Sequence, residues 1–312
     1  MLRIALRLSL VALAGLAAAC ATVGDDPPPG ASAATLLEAG KARLEAGLPN
    51  RAADLFELVI EDHGESPEAE EAAWLLGEVY FADERWRKAS RAFQDYHEAN
   101  PLGRLGELEN RMYDLGVKMF LSGQSGLFGL GIFPSFGEAP ETFEWLLVNL
   151  PTGARADDAL MFMARIHLDE ERWAEGILHL DRLLAGYPQS EWALTARFLK
   201  ASAHRSLSRG PDYDEKTLLE AKKSFEAYVK LVSRDPARQV EYADRLAEAK
   251  EAITGIESRL AQKKLLIGRW YTSQERWPSA RIYLDDAVKT APGSEGAAQA
   301  RGLLDELEDA GR

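Results

Sequence analysis

The stretch GEVYFADERWRKASRAF at residues 77–93 contains the tripeptide Glu-Arg-Trp, which recurs at residues 171–173 and 275–277. Aligning the chain on these three tryptophans shows that their surroundings recur as well. Small residues lie at fixed distances before and after the tryptophan, and an aromatic ring, a large apolar residue and a proline keep fixed places too. These positions are, in chain order, Gly77, Ala164 and Gly268; Tyr80, His167 and Tyr271; Ala89, Gly176 and Ala280; Phe93, Leu180 and Leu284; Pro101, Pro188 and Pro292.

This order of residues is typical of the tetratricopeptide (TPR) repeat, a helix–turn–helix unit of about 34 residues. Small side chains are needed where the two helices of a pair approach closely, and proline marks the end of the second helix because it cannot continue one. Weaker copies around Ala52, Ala139 and Ala221 raise the number of pairs to six. Each pair is too small to bury its own apolar face, so the sequence predicts an all-α solenoid of stacked pairs.

We expect the pairs near residues 34–66, 67–101, 102–151, 152–188, 189–236 and 237–292, followed by a C-terminal helix at 294–309. Residues 238–272 contain no proline, and apolar residues from Leu246 to Trp270 alternate by three and four. That seam predicts one long helix of about 35 residues. The alternative is two shorter helices of ordinary repeats.

The first nineteen residues are predicted to be a signal peptide. Arg3 and Arg7 precede a short apolar run, and Ala17-Ala18-Ala19 leads to Cys20, the only cysteine of the chain. This arrangement is typical of a lipoprotein, in which the cysteine becomes the lipidated N-terminus; an ordinary signal peptide cut after Ala19 is the alternative. Residues 20–33 are rich in proline, glycine and small residues, which predicts a linker.

Composition and motifs limit the function. A formal net charge of −13 disfavours nucleic acid and anionic lipid headgroups as partners. The five histidines have no metal-ligand spacing, and neither a nucleophile elbow nor an HExxH motif occurs. We therefore predict a protein that is not an enzyme and that uses no cofactor or metal.

The segment SGQSGLFGLGIFPSFG at residues 122–137 departs from the repeat, since it joins two helices where a few residues suffice. It is rich in glycine, carries no charge and contains large apolar side chains: Leu127, Phe128, Leu130, Ile132 and Phe133. Loops are normally polar because they face water. Either this segment folds back over the helical core, or it presents an apolar surface to a partner or a membrane.

The leader and the repeats together resemble the BamD family, the lipoproteins of the outer-membrane β-barrel assembly machine of Gram-negative bacteria. The resemblance is clearest in AEEAAWLLGEVYFADERWRKASRAFQDYHEANP at 69–101 and in LAEAKEAITGIESRLAQKKLLIGRWYTSQERWPSARIYLDDAVKTAPGS at 246–294. It implies a scaffold without enzymatic activity, anchored through Cys20 in the outer membrane and facing the periplasm. Its C-terminal pairs would dock the barrel-forming BamA subunit, and its N-terminal pairs would receive unfolded outer-membrane proteins.

Repeat positions also suggest which residues of the first helices face a binding groove: Trp74, Glu78, Phe81, Tyr113, Met161, Arg165, Phe198 and Arg269. For the aromatic residues, packing in the core is the alternative interpretation. For the protein as a whole, the alternative is another TPR lipoprotein that serves secretin, pilus or cell-envelope assembly.

Replacing Cys20 by Ala tests the predicted anchor. Without the thiol no lipid can be attached, so the variant should leave the outer-membrane fraction and appear in the soluble periplasmic fraction. Fractionated cells and immunoblotting measure this, with Thr22→Ala in the linker as the control. If Cys20→Ala stays in the outer membrane at the wild-type level, the anchor lies elsewhere.

Overall fold

The computed structural model describes residues 27–124, 137–207 and 215–311, and within these ranges the chain forms fourteen helices and no strand. The chain divides into two compact units, one up to Ala156 and one from Asp157 onward. Both units are built from TPR-type helical pairs, so the predicted all-α repeat fold is confirmed.

The first unit contains three pairs, in which each first helix is followed by an antiparallel second helix. Their bounds are α1 Ala33–Glu45 and α2 Pro49–His63, α3 Pro67–Ala82 and α4 Trp86–Ala99, α5 Leu105–Gln124 and α6 Ala139–Asn149. Each helix packs on the next along the chain.

The second unit continues the pattern and ends on an additional helix. Its pairs are α7 Ala156–Asp169 with α8 Trp173–Gly186, α9 Ala193–Leu207 with α10 Glu215–Val232, and α12 Ala243–Ser273 with α13 Trp277–Thr290; α11 Pro236–Glu241 precedes the last pair and α14 Glu295–Asp309 follows it.

Glycine and phenylalanine make the closest contact inside several pairs. A Cβ atom added to Gly77 of α3 would lie 2.5 Å from Cε1 of Phe93 on α4, and the phenylalanine is fully buried. Gly40 has the same relation to Phe56 at 2.5 Å, and Gly116 to Phe143 at 2.6 Å. The small positions of the repeat are therefore small because a buried ring occupies the space that a side chain would need.

The Glu-Arg-Trp tripeptides form the turns between the helices of three pairs. Glu84, Glu171 and Glu275 have φ angles of 57°, 58° and 57°, in the left-handed region. After the first of them, the N–H of Arg85 donates to the carbonyl of Tyr80 at 2.9 Å, and the N–H of Glu84 donates to that of Phe81 at 3.2 Å. This is the Schellman pattern that ends a helix, in which glycine usually occupies the left-handed position. The tryptophan then begins the second helix, half-buried over the turn, while the glutamate is exposed.

The long C-terminal helix is present but begins later than predicted. Helix α12 contains 31 residues from Ala243 to Ser273, and Tyr242 separates it from the short helix α11. Helix α11 has no buried residue, so no packing carries the helix continuously through Tyr242. Helix α12 contributes Leu246, Ile256 and Leu260 to one core cluster and Leu265 to a second cluster with α13 and α14.

Two glycine substitutions test the packing of the pairs. Gly77→Ala places a methyl group against the ring of Phe93, so we expect a net loss of about 1–2 kcal/mol in the free energy of unfolding despite the better helix propensity of alanine. Gly255→Ala is the matched control, because no atom lies within 4 Å of the added Cβ in the middle of α12. It should stabilise the chain by about 0.5–1 kcal/mol. Urea unfolding measures both, and a Gly77→Ala variant as stable as wild type would contradict the assigned contact.

Candidate protein-interaction sites

Helices α3 and α5 of the first unit place cations over aromatic rings. The guanidinium carbon of Arg104 lies 5.1 Å from the ring centre of Trp74, and that of Arg111 lies 5.1 Å from the ring centre of Phe81. The ammonium of Lys118 lies 5.6 Å from the ring of Phe81. All three distances are within the range of a cation–π interaction.

The cations Arg104, Arg111 and Lys118 and the α3 carboxylates Glu71 and Glu78 each recur every seven residues. Seven residues are close to two helical turns, so Arg111 and Lys118 share one face of α5, whereas Arg104 lies just before the helix with a φ of 43°. Arg104 forms an ion pair with Glu71. Seven residues further along both helices, Arg111 donates to both oxygens of Glu78, from Nε at 2.6 Å and from Nη2 at 3.0 Å.

We call Glu71, Arg104 and Trp74 the first rung, and Glu78, Arg111 and Phe81 the second rung. The hydrogen bonds that Arg111 donates to Glu78 raise the pKa of Arg111 above its ordinary value. Two-point pairing also fixes the orientation of the guanidinium. The second rung is therefore a rigid combination of a carboxylate, a cation and a ring.

A cavity of about 320 Å³ opens beside the rungs and is lined by Trp74, Glu78, Glu107, Asn110 and Arg111. It offers a ring face, two carboxylates and a guanidinium, a mixture suited to a side chain of a bound peptide segment. Sequence reasoning missed Arg104, Arg111 and Lys118. Their seven-residue spacing, equal to that of Glu71 and Glu78 on α3, is the signal that could have revealed them.

Three of the predicted groove residues belong to the core instead. Trp74 is buried with its ring centre 5.0 Å from that of Phe93, and the guanidinium of Arg104 lies over its ring. Phe198 is buried against Phe225, and Met161 is fully buried. Large apolar side chains on the first helices gain more from contact with the second helices than from facing a groove.

The other predicted groove residues reach the surface, and two of them, Glu78 and Phe81, both contact Arg111 in the second rung. Glu78, Phe81 and Tyr113 are half-buried in the first unit, where Arg155 stacks over Tyr113 at 4.9 Å. In the second unit, the guanidinium of Arg165 lies 6.0 Å from the ring of Trp192, and Arg269 donates a 2.8 Å hydrogen bond to Gln299.

Helix α12 presents an apolar patch to solvent that the sequence did not indicate. Leu266 is 46% exposed and Trp270, one turn further on, is 54% exposed. Trp270 belongs to the predicted apolar seam, but at this end of the helix Leu265 and Gly268 face the core. We call Leu266 and Trp270 the α12 patch.

Several predicted residues lie outside the described ranges: Cys20, and Leu127, Phe128, Leu130, Ile132 and Phe133 of the apolar segment. Of the helices that are described, none combines the length and the apolar character needed to cross a bilayer. Nor do residues 27–124, 137–207 and 215–311 contain a group of three or more His, Cys, Asp or Glu side chains that could hold a metal ion.

Fold and surface together define the class: a TPR-type helical repeat protein with faces suited to other proteins. The family model described as "YfiO: Outer membrane lipoprotein" matches residues 134–304, more than half of the chain. The chain belongs to this family of outer membrane lipoproteins. The match runs from just before α6 into α14.

Solved structures similar to this chain include TPR proteins and a pilus biogenesis factor. One from Parabacteroides merdae is 13% identical, with 86% of this chain and 96% of that chain covered and a TM-score of 0.36. A thermophilic TPR protein from Thermus thermophilus is 16% identical, with 69% and 100% covered and a TM-score of 0.31. PilW, a type IV pilus biogenesis factor, is 15% identical, with 86% and 97% covered and a TM-score of 0.28. No curated protein sequence matches the chain.

Two buried histidines stack between α7 and α8. The ring centres of His167 and His179 are 5.1 Å apart and the ring planes differ by 17°. Burial, together with the nearby charges of His167, Arg182 and Arg172, lowers the pKa of His179 to about 4. At neutral pH His179 is therefore an uncharged packing residue.

This histidine makes the stability of the chain depend on pH. In the unfolded chain His179 titrates near 6.5, whereas the folded chain resists the proton until about pH 4. The unfolded state thus binds more protons between these values, so stability should fall as the pH drops from 6.5 to 4, by roughly 2 kcal/mol from this residue. His179→Phe should reduce that slope in urea unfolding at pH 7.5, 6 and 5. Equal slopes for wild type and His179→Phe would contradict the assignment.

Proposed function

We propose that this chain is a BamD-like scaffold lipoprotein of the outer-membrane β-barrel assembly machine, without enzymatic activity, cofactor or metal. The observation that carries the proposal is membership of the outer membrane lipoprotein family over residues 134–304. The resemblance of residues 69–101 and 246–294 to BamD repeats supports the more specific role. In this role the protein is anchored through Cys20 and faces the periplasm.

The C-terminal pairs dock the barrel-forming BamA subunit in this proposal. The α12 patch supports this role, since an exposed tryptophan beside an exposed leucine has the composition of an interface centre. Trp270 is also oriented by Tyr271, at 4.8 Å between ring centres, so its ring is held in place before a partner arrives.

The N-terminal pairs receive unfolded outer-membrane proteins in this proposal. The face of α3 and α5 supports this role because Phe81 and Tyr113 are half-buried and offer rings to a passing chain. The cavity beside the second rung adds polar groups that can bond an exposed peptide backbone.

The double substitution Leu266→Ser and Trp270→Ser tests the proposed docking. Both side chains are exposed, so the free energy of unfolding should change by about 0.5 kcal/mol or less. Losing a hot-spot tryptophan costs roughly 2 kcal/mol of binding, so the yield of a co-purifying β-barrel subunit in mild detergent should fall severalfold or more. Val240→Ser, an exposed apolar residue of α11 outside the patch, is the matched control.

The identity of the captured proteins separates the two candidate functions. A β-barrel protein with periplasmic repeats, lost in the double variant and retained in the control, supports the proposal. Capture of a secretin, a pilus component or a peptidoglycan factor by the wild type instead would favour the alternative scaffold role. An unchanged yield of the β-barrel subunit in the double variant would show that docking uses another surface.

A further inference from the structure

The two rungs between α3 and α5 have a third, incomplete counterpart. The residue seven positions after Arg111 on α5 is Lys118. Helix α3 ends at Ala82, so it supplies no residue seven positions after Glu78, and Arg85 lies in the turn that follows the helix. The third position therefore has a cation from α5 but no carboxylate from α3. None of the described carboxylates forms an ion pair with Lys118.

Lys118 nonetheless has the aromatic part of a rung. Its ammonium lies 5.6 Å from the ring centre of Phe81 and 5.2 Å from that of Trp86, and the two rings touch edge to face at 5.7 Å. The side chain is exposed and both rings are half-buried. The ammonium of Lys118 is therefore held by two aromatic rings and exposed to solvent, so it can pair with an anion without a change of conformation.

The surroundings of the third position are positively charged. A cavity of about 500 Å³ is lined by Arg85, Trp86, Arg87, Lys88, Met119 and Ser122 on one side and by Gly137 and Glu138 on the other. Two of its cations are already neutralised, since Arg87 pairs with Glu138 at 2.6 Å and Arg85 lies 3.8 Å from Asp83. Lys88, with its ammonium 5.2 Å from the ring of Tyr80, has no described carboxylate partner. Lys118, over Trp86, and Lys88, over Tyr80, are thus two cations without a described carboxylate partner.

We propose that a carboxylate of an acidic peptide segment, supplied by a partner protein, completes the third rung on Lys118 and Trp86, with Lys88 contributing to its attraction. The first two rungs show which group fits: a glutamate that pairs with the α5 cation while the cation stays on its ring. This inference rests on the proposed scaffold function in one respect: it requires that the chain binds a partner protein.

Charge favours a peptide over a membrane surface. The chain carries a formal net charge of −13, so an anionic bilayer would repel most of it. A short acidic segment meets only the local field of the two lysines, which extends about 10 Å at ordinary salt.

Binding of a defined acidic peptide tests the proposal. The probes are a fluorescein-labelled peptide of four Gly-Glu-Leu repeats and its counterpart with glutamine in place of glutamate. Fluorescence anisotropy should give at least about tenfold tighter binding for the glutamate peptide, weakening with salt. Lys118→Met should weaken binding by about 5–10-fold, whereas Lys118→Arg retains it and Lys250→Met, at an exposed lysine of α12, changes it less than about twofold.

Carbodiimide coupling locates the contact, because it joins a carboxylate directly to a nearby amine. Mass spectrometry should find the glutamate peptide attached mainly to Lys118 and Lys88. The proposal is overturned by equal binding of the two peptides, by equal effects of the Lys118 and Lys250 substitutions, or by coupling spread evenly over the exposed lysines.

Binding to vesicles that contain phosphatidylglycerol tests the alternative that Lys118 binds lipid headgroups. If they bind through Lys118 while the glutamate peptide does not, the site is one for lipid headgroups and the peptide proposal is wrong. Because the peptide experiment needs neither a membrane nor a β-barrel subunit, its failure is separate from a failure of the docking proposed for the α12 patch.

Discussion

The contact between a glycine of the first helix and a buried phenylalanine of the second is the constraint on which each pair depends. At Gly77 there is no room for a methyl group, since Phe93 fills the space. This approach determines how closely α3 and α4 pack. It thereby determines where the remaining face of α3 stands, which is the face that carries Glu78 and Phe81 toward α5. The contacts of the two rungs between α3 and α5 therefore depend on the close packing of α3 against α4.

The turns between the helices show why a rare tripeptide recurs. In the first pair, Gly47 occupies the left-handed position with a φ of 74°, as is usual for such a turn. Glu84, Glu171 and Glu275 take the same conformation without the freedom of glycine, at a cost of about 1–2 kcal/mol each. The tryptophan that follows packs over the turn and contributes apolar burial that offsets this cost. Glu-Arg-Trp is therefore a structural solution, and the repetition does not mark a shared chemical task.

The sequence predicted the repeat fold well because small and large residues alternate at fixed distances, and close packing permits few alternatives. It predicted the site less well. Trp74, Met161 and Phe198 were assigned to a groove, but the same helical positions can also serve the core. The pairing of Arg111 with Glu78 joins residues 33 positions apart and depends on the register of two helices, which no single-helix pattern reveals. The exposure of Trp270 was not foreseen, because an apolar seam in one helix does not show which of its residues the neighbouring helices will cover.

Helix α12 belongs to two cores at once, which has a consequence for how the end of the chain unfolds. Its first half packs with α9 and α10, and its last turns pack with α13 and α14. The helix is about 46 Å long and continuous, so each core depends on a segment whose other half belongs to its neighbour. A helical segment without packing is marginal in water, so loss of either core leaves part of α12 unsupported. The two cores are therefore coupled through one shared helix, although the repeat pattern presents successive pairs as separate modules.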